Sequence, residues 1–125
     1  MTGRQLIEIA HQFFDAYNAS DIASLEALLS EDVRWEHHNR FKGAGRAALI
    51  RSIKEIAQTT PGRRFTEPTR WASSENLIYL EHQWHAVPTA ANAMFGWQPG
   101  VPFSMDAVSV FVFADGKIIE WSDYG

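Results

Sequence analysis

The chain has 125 residues, 46% of them hydrophobic and 21% charged, with a net charge of −4. That is enough for one soluble domain, spanning residues 1–125, with a real core. The mild acidity argues against nucleic acid as a partner, which calls for a basic face. No cysteine is present, which removes disulfides and thiol chemistry and fits a reducing, cytoplasmic setting. No apolar run is long enough to cross a bilayer, and no basic-then-apolar signal pattern opens the chain, so no membrane partner is expected.

Thr2 and Gln5 read as a capping box. Leu6, Ala10, Phe13 and Tyr17 then recur on one helical face, and "NASD" stops this first helix. Asp21 is placed to cap a short second helix carrying Ile22, Leu25, Leu28 and Leu29. Val33, Trp35 and His37 alternate as on a strand, and "FKGAG" reads as a turn. A third helix follows in "RAALIRSIKEIAQ". The remainder reads as sheet. "RFTEPTRWAS" is a strand interrupted or bulged at Pro68, and "NLIYLEHQWHAV" and "PFSMDAVSVFVFA" are long strands. "ADGK" is a hairpin turn, and "KIIEWSDY" closes the chain. Between them "PTAANAMFGWQPG", residues 88–100, carries Met94, Phe95 and Trp97 in a long loop. It is expected to cap a pocket or reach a partner. Helices first and then a run of mostly antiparallel strands make an α+β plan, with helices on one sheet face.

Alternation sorts the polar residues. Ile78, Leu80, His82, Trp84 and Ala86 share the more apolar face of their strand, with Tyr79, Glu81, Gln83 and His85 on the other. In the last strand Ile119, Trp121 and Asp123 share a face, and in the first Trp35, His37 and Asn39 do. A lone histidine on an apolar face is more often a satisfied core residue than a catalyst, and Asp123 sits near a chain end where charges solvate. Three ionisable intruders among aromatics nevertheless point to a pocket, because a buried charge is costly unless paired. No metal site is expected. His82 and His85 point to opposite faces, His37 and His38 diverge, and no helix carries a two-histidine ligand pattern.

"FFDAYNASDIASLEALLSEDVRWEHHN", "FKGAGRAALI" and "FVFADGKIIEWSDYG" resemble the nuclear-transport-factor-2-like superfamily, which includes SnoaL-like polyketide cyclases, ketosteroid isomerases and limonene-epoxide hydrolases. The resemblance implies a cone-shaped, curved, mixed or antiparallel sheet closed by three N-terminal helices around an apolar pocket, often in a homodimer. Against the epoxide hydrolases, Asp123 falls on the last-strand aspartate and Asn39 on the water-holding asparagine. His37, His82 and Trp84 replace the tyrosine, the arginine and the second aspartate. Against ketosteroid isomerases, His37 falls near the general base, Phe13 near the oxyanion-holding tyrosine and Ser109 near the donor aspartate. SnoaL-like cyclases, with an acidic residue and histidine partners in the cone, are the nearest chemical match.

The expected function is cofactor-independent, general acid–base proton transfer on a small hydrophobic, ring-containing molecule. Asp123, His82 and His37 form the expected catalytic set, with Asp123 hydrogen-bonded to His82. Asn39 would hold an oxygen or water, and Trp35, Trp84, Trp121, Phe13 and Tyr17 would line the pocket. A non-catalytic ligand-binding or dimerisation module and an epoxide hydrolase with altered acids such as Asp106 are the alternatives. A homodimer is expected through the outer face carrying Tyr79, Gln83, His85 and Tyr124, extended by Phe95 and Trp97.

Overall fold

The structure, a computed structural model, describes residues 1–125. Helix α1 (Gly3–Ala19) begins on the expected box: the Gln5 N–H donates to the Thr2 hydroxyl at 3.2 Å, and the Thr2 N–H donates to Gln5 Oε1 at 2.7 Å. Ser20, in the left-handed region at φ 54°, ends it. Asp21 caps α2 (Ile22–Leu28) by accepting from the Ser24 N–H and hydroxyl. The chain continues through β1 (Leu29–His37), β2 (Phe41–Ala44), α3 (Arg46–Thr59), β3 (Arg64–Phe65), β4 (Arg70–Ser74), β5 (Leu77–Ala86), β6 (Phe103–Ala114) and β7 (Lys117–Tyr124).

The strands form one curved, unclosed sheet in the order β2-β1-β7-β6-β5-β3, with β4 also paired to β5. The β1–β7 pairing is parallel and the others are antiparallel. Strand β7 therefore runs through the middle of the sheet, held on both sides, although it lies at the end of the chain. Its hairpin with β6 turns on Asp115 and Gly116, both at positive φ, the geometry that matches the twist of the flanking strands. Pro68 splits the expected "RFTEPTRWAS" strand into β3 and β4. The Thr66 and Thr69 N–H groups still donate to Gln83 and Glu81 of β5 across the break, each at 2.8 Å.

Strand β5 alternates as its sequence implies: Ile78, Leu80, His82, Trp84 and Ala86 are buried, while Tyr79 and Gln83 are exposed. Ile78, Leu80 and Trp84 share one core cluster with Leu6, Phe13, Phe14 and Tyr17 of α1, Leu25 of α2 and Leu49, Ile50 and Ile53 of α3. Full burial of each such side chain is worth about 1.5–3 kcal/mol.

Two local readings are corrected. The "FKGA" segment is the edge strand β2 rather than a turn; the chain reverses one step earlier, around Asn39 at φ 67°. Close approach explains the glycine in this strand. Gly43 lies opposite Trp35, and a Cβ there would run into the indole. In β7 it is Ile118, fully buried, that faces the core, while Ile119 is half-buried. An irregularity in the β6–β7 register, where Phe113 pairs with Ile118 and Val112 with Glu120, takes up Ile119 as an extra residue. Such a bulge resets the alternation, which returns Trp121 and Asp123 to the inner side.

The 88–100 loop folds back over the helix side of the sheet. The Thr89 N–H donates to the Thr59 carbonyl, the Gly100 N–H donates to Pro88, and Asn92 and Trp97 pair through their backbones. Trp97 is buried and stacks on Trp84 at 5.6 Å and on Phe95 at 5.1 Å. Met94 stays 52% exposed, so the flap buries Trp97, half-buries Phe95 and leaves Met94 outside.

Candidate functional site

Between the inner sheet face, α3 and the flap lies a cavity of about 70 Å³. A water needs roughly 10–15 Å³ on this measure, so the space admits several waters or a compact organic molecule. Its walls are mostly apolar and aromatic. Trp35, Phe41, Trp84, Phe95, Trp97 and Trp121 contribute, with Tyr17, Phe65, Met105 and the α3 residues Leu49, Ile53 and Ile56.

Strand register places the polar groups. In the parallel β1–β7 ladder Trp35 stands opposite Trp121 and His37 opposite Asp123. Directly paired residues share a face, so both pairs line the cavity together. Asp123 is 6% exposed. Its Oδ1 accepts from the Ser109 hydroxyl at 2.6 Å and from Trp121 Nε1 at 2.7 Å, and Oδ2 has no partner within the protein. Burial pushes the carboxyl up to about 7, while the Ser109 and Trp121 bonds pull the other way. His37 is buried against Phe41, whose ring is tilted to it, and edge-on to Phe95. The Arg40 guanidinium lies 3.2 Å from its Nδ1. Burial first, and this cation second, hold His37 below its ordinary value, so its neutral form is favoured.

Arg40 also ties the site together. It donates to the Gly125 carbonyl and, at 3.5 Å, to the Met94 carbonyl, and its guanidinium lies over the Phe95 ring at 4.7 Å. Tyr17 accepts from Trp84 Nε1 at 3.1 Å, and its ring faces the buried Arg63 guanidinium at 4.3 Å. Burial raises the Tyr17 hydroxyl above its usual value and keeps it a neutral phenol.

Several expected positions fall elsewhere. His82 does not line the cavity and does not touch Asp123 directly. Its Nε2 lies 2.8 Å from Ser109 Oγ, so the serine stands between them. The His82 ring is sealed between Phe65, stacked at 4.6 Å, and the edge of Phe14 at 4.7 Å. Burial lowers it to about 4 rather than a carboxylate raising it. Phe13 is fully buried in the core behind Trp121, edge-on at 4.9 Å, and has no cavity surface. Asn39 sits exposed in the β1–β2 turn, which directs it away from the cavity. Asp106 faces outward and accepts from the Gln83 amide at 2.8 Å. Trp35, His37, Trp84, Trp121, Tyr17 and Asp123 do converge.

Ser109 and Arg40 carry parts of the site that residue types alone did not single out. Alternation within "AVSVFVF" does put Ser109 on the inner face as its one polar residue, which is a usable signal. Arg40 has none, since it acts through a turn and a flap distant in sequence. No group of three or more His, Cys, Asp or Glu side chains is arranged to hold a metal ion. No helix is long and apolar enough to cross a membrane.

Three helices against a curved mixed sheet make an α+β structure of nuclear-transport-factor-2-like fold, and a buried carboxyl sits in an aromatic cavity between them. The chain belongs to the SnoaL-like domain family, whose sequence profile matches residues 10–121. Solved structures agree on the fold. A candidate polyketide cyclase from Xanthomonas campestris pv. campestris superposes with a TM-score of 0.85 at 17% identity, covering 98% of this chain and 90% of that one. An LEH-like epoxide hydrolase from Mycobacterium tuberculosis gives 0.77 at 16% identity, over 97% and 82%. A protein of ketosteroid isomerase-like fold from Catenulispora acidiphila gives 0.80 at 15%, over 94% and 85%. No curated protein matches the sequence.

Proposed function

We propose that this protein is a small-molecule enzyme of the SnoaL-like type, transferring protons at a carbon next to a carbonyl in an isomerisation, cyclisation or hydration, with no cofactor. The observation that carries this reading is the Asp123 carboxyl. It is buried, anchored through one oxygen, open through the other, and poised near neutrality at the wall of an apolar cavity. A group with a proton affinity near the working pH serves both as base and as acid. In the ionised form Oδ2 takes a proton from the substrate carbon and then returns it to another position. Neutral His37, on the adjacent strand, offers an N–H to the oxygen on which charge develops. The flat walls of Trp35, Trp84 and Trp121 favour a neutral, ring-containing molecule. The flap residues Phe95 and Trp97 close over it.

The binding-module alternative expects every polar group to be satisfied by the fold alone. The free Oδ2 of Asp123 does not fit that description. Epoxide opening draws less support, because His82 and Trp84 occupy the positions of the arginine and second acid, and Asp106 points outward. A cytoplasmic setting accords with the cysteine-free chain. A homodimer through the outer face accords with exposed Tyr79 and Tyr124 flanking the half-buried Val108 and Val110 of β6. Val110→Glu should then yield a monomer in sedimentation.

The test is proton exchange into D₂O at the α-carbon of a panel of cyclic ketones and enones, comparing wild type with Asp123→Asn. Enzyme-dependent exchange that the variant loses supports the reading. Ligand binding with no exchange in either protein would leave the binding module.

A further inference from the structure

Two buried polar groups, Ser109 and His82, take no part in that scheme, yet they are joined to the carboxyl that does. Ser109 is fully buried and His82 is 4% exposed. Oxygen and nitrogen atoms run in a chain from the imidazole to the carboxyl, 2.8 Å and then 2.6 Å apart. We propose that His82 and Ser109 form a positioning relay in which the imidazole Nε2–H donates to Ser109 Oγ, the Ser109 hydroxyl donates to Asp123 Oδ1, and the exchangeable proton of Asp123 is thereby confined to Oδ2. This rests on the acid–base reading of Asp123 given above.

The direction of the chain follows from hydrogen counting. Indole Nε1 can only donate, so the 2.7 Å contact from Trp121 makes Oδ1 an acceptor. The 2.6 Å Ser109–Asp123 separation is the length of a hydroxyl bonded to a charged carboxylate. Ser109 has one hydrogen. Once that is given to Asp123, the nitrogen 2.8 Å away on His82 must supply its own. The imidazole is therefore in its Nε2–H form, and Nδ1 is a bare acceptor. Nδ1 is buried and makes no hydrogen bond. The tautomer therefore rests on the hydrogen count at Ser109; the Thr66 backbone, which favours a protonated ring, is the partner that the competing Nδ1–H form would use. Phe65 stacked on the ring and Phe14 at its edge hold it in the plane that aims Nε2 at Ser109.

A carboxyl anchored by two donors on one oxygen cannot turn over, so it presents a single oxygen to the cavity. The titratable groups around it are His37 on β1, with Arg40 behind it, and Tyr17 of α1, which faces Arg63. His82 acts from the far side through the serine.

The relay is testable without a substrate. In wild-type protein at neutral pH, the ¹⁵N shifts of the His82 ring should report the Nε2–H tautomer; the Nδ1–H form would overturn the proposal. Asp123 is then titrated by its ¹³C carboxyl resonance. Ser109→Ala, which keeps the Cβ, should raise the midpoint by about one pH unit, since a donor to the charged form is lost. His82→Phe, which keeps the stacking, should raise it by a smaller but resolved amount. A midpoint that moves in Ser109→Ala and stays fixed in His82→Phe would end the chain at the serine and refute the role of His82. A midpoint fixed in both would refute the whole relay. These readouts are independent of turnover, so a failure of the acid–base reading itself would appear only in the exchange assay.

Discussion

The two faces of the sheet are built from the same strands and treat charge in opposite ways. On the outer face Arg70 pairs with Glu81, Arg34 with Glu120, and Gln83 with Asp106, all among solvated side chains. On the inner face a single residue's step along β6 or β7 brings Ser109 and Asp123 among Trp and Phe rings. There, burial outweighs the Ser109 and Trp121 hydrogen bonds and moves a carboxyl up to about 7. Outer pairs trade hydration for a partner at little net gain. The inner carboxyl has lost its water and has hydroxyl and indole donors but no cation beside it. A pleated strand thus makes an inert charge and a reactive one a few ångströms apart, and the difference lies in dielectric surroundings rather than residue type.

Asp123→Asn should break this contrast most severely. It keeps the shape and removes the proton exchanger, so turnover should fall by about 100-fold or more. Steady-state kinetics on any substrate found in the exchange assay will measure this. Unchanged turnover would reduce Asp123 to a solitary buried acid of no consequence.

Next in size is the pH dependence of stability. Asp123 has a raised folded-state value, so its stabilisation is complete below its unfolded value of 3.8 and is lost as the pH climbs to about 7. His82 behaves oppositely: its contribution is present above 6.5 and is lost as the pH falls towards about 4. Between roughly pH 4 and 6.5 the two slopes offset one another. Relative to wild type, His82→Phe should therefore lose stability as the pH rises from 4 to 7, by up to about 3 kcal/mol. Asp123→Asn should instead gain stability between pH 4 and 6.5. Urea melts across this range will show whether the variants diverge in opposite directions; parallel curves would contradict both assignments.

The flap offers a smaller version of the same contrast. Trp97→Ala removes a buried, stacked indole and should cost about 3 kcal/mol. Met94→Ser, at an exposed position of the same loop, should stay within about 0.5 kcal/mol of wild type. Thermal melts distinguish them. A similarly small effect is expected outside: Glu81→Gln, in an exposed pair with Arg70, should change stability by less than about 1 kcal/mol, and raising the salt should shrink even that. A larger loss in the Glu81 variant would mean that the outer face is covered, as in the proposed dimer, which sedimentation can then resolve.

Local chemistry made most of the architecture legible. The capping residues Thr2 and Asp21, the Pro68 break, the Asp115–Gly116 turn and the strict alternation of β5 each act over a few residues, so they can be read from those residues. Asp123 was legible as an ionisable intruder on an inward face, and Trp35, His37, Trp84 and Trp121 were legible as its surroundings. What alternation could not foresee is where it slips. The extra residue at Ile119 exchanged the roles of two isoleucines, because a bulge is set by the pairing of β7 with β6 and not by β7 alone.

Tertiary packing decided which polar groups share a space. His82 and Asp123 point inward as the sequence implies, but the sheet's curvature and the insertion of Phe65 put the imidazole behind Ser109 and outside the cavity. Parallel pairing of β1 with β7, a contact between residues 86 positions apart, set His37 beside the carboxyl instead. The sequence by itself determined the elements, their inward faces and the identity of the buried acid, since these depend on periodicity and on the cost of burying charge. The partner of that acid, its open oxygen and its shift towards neutrality depend on long-range register and exclusion of water, and those exist only once the chain has folded.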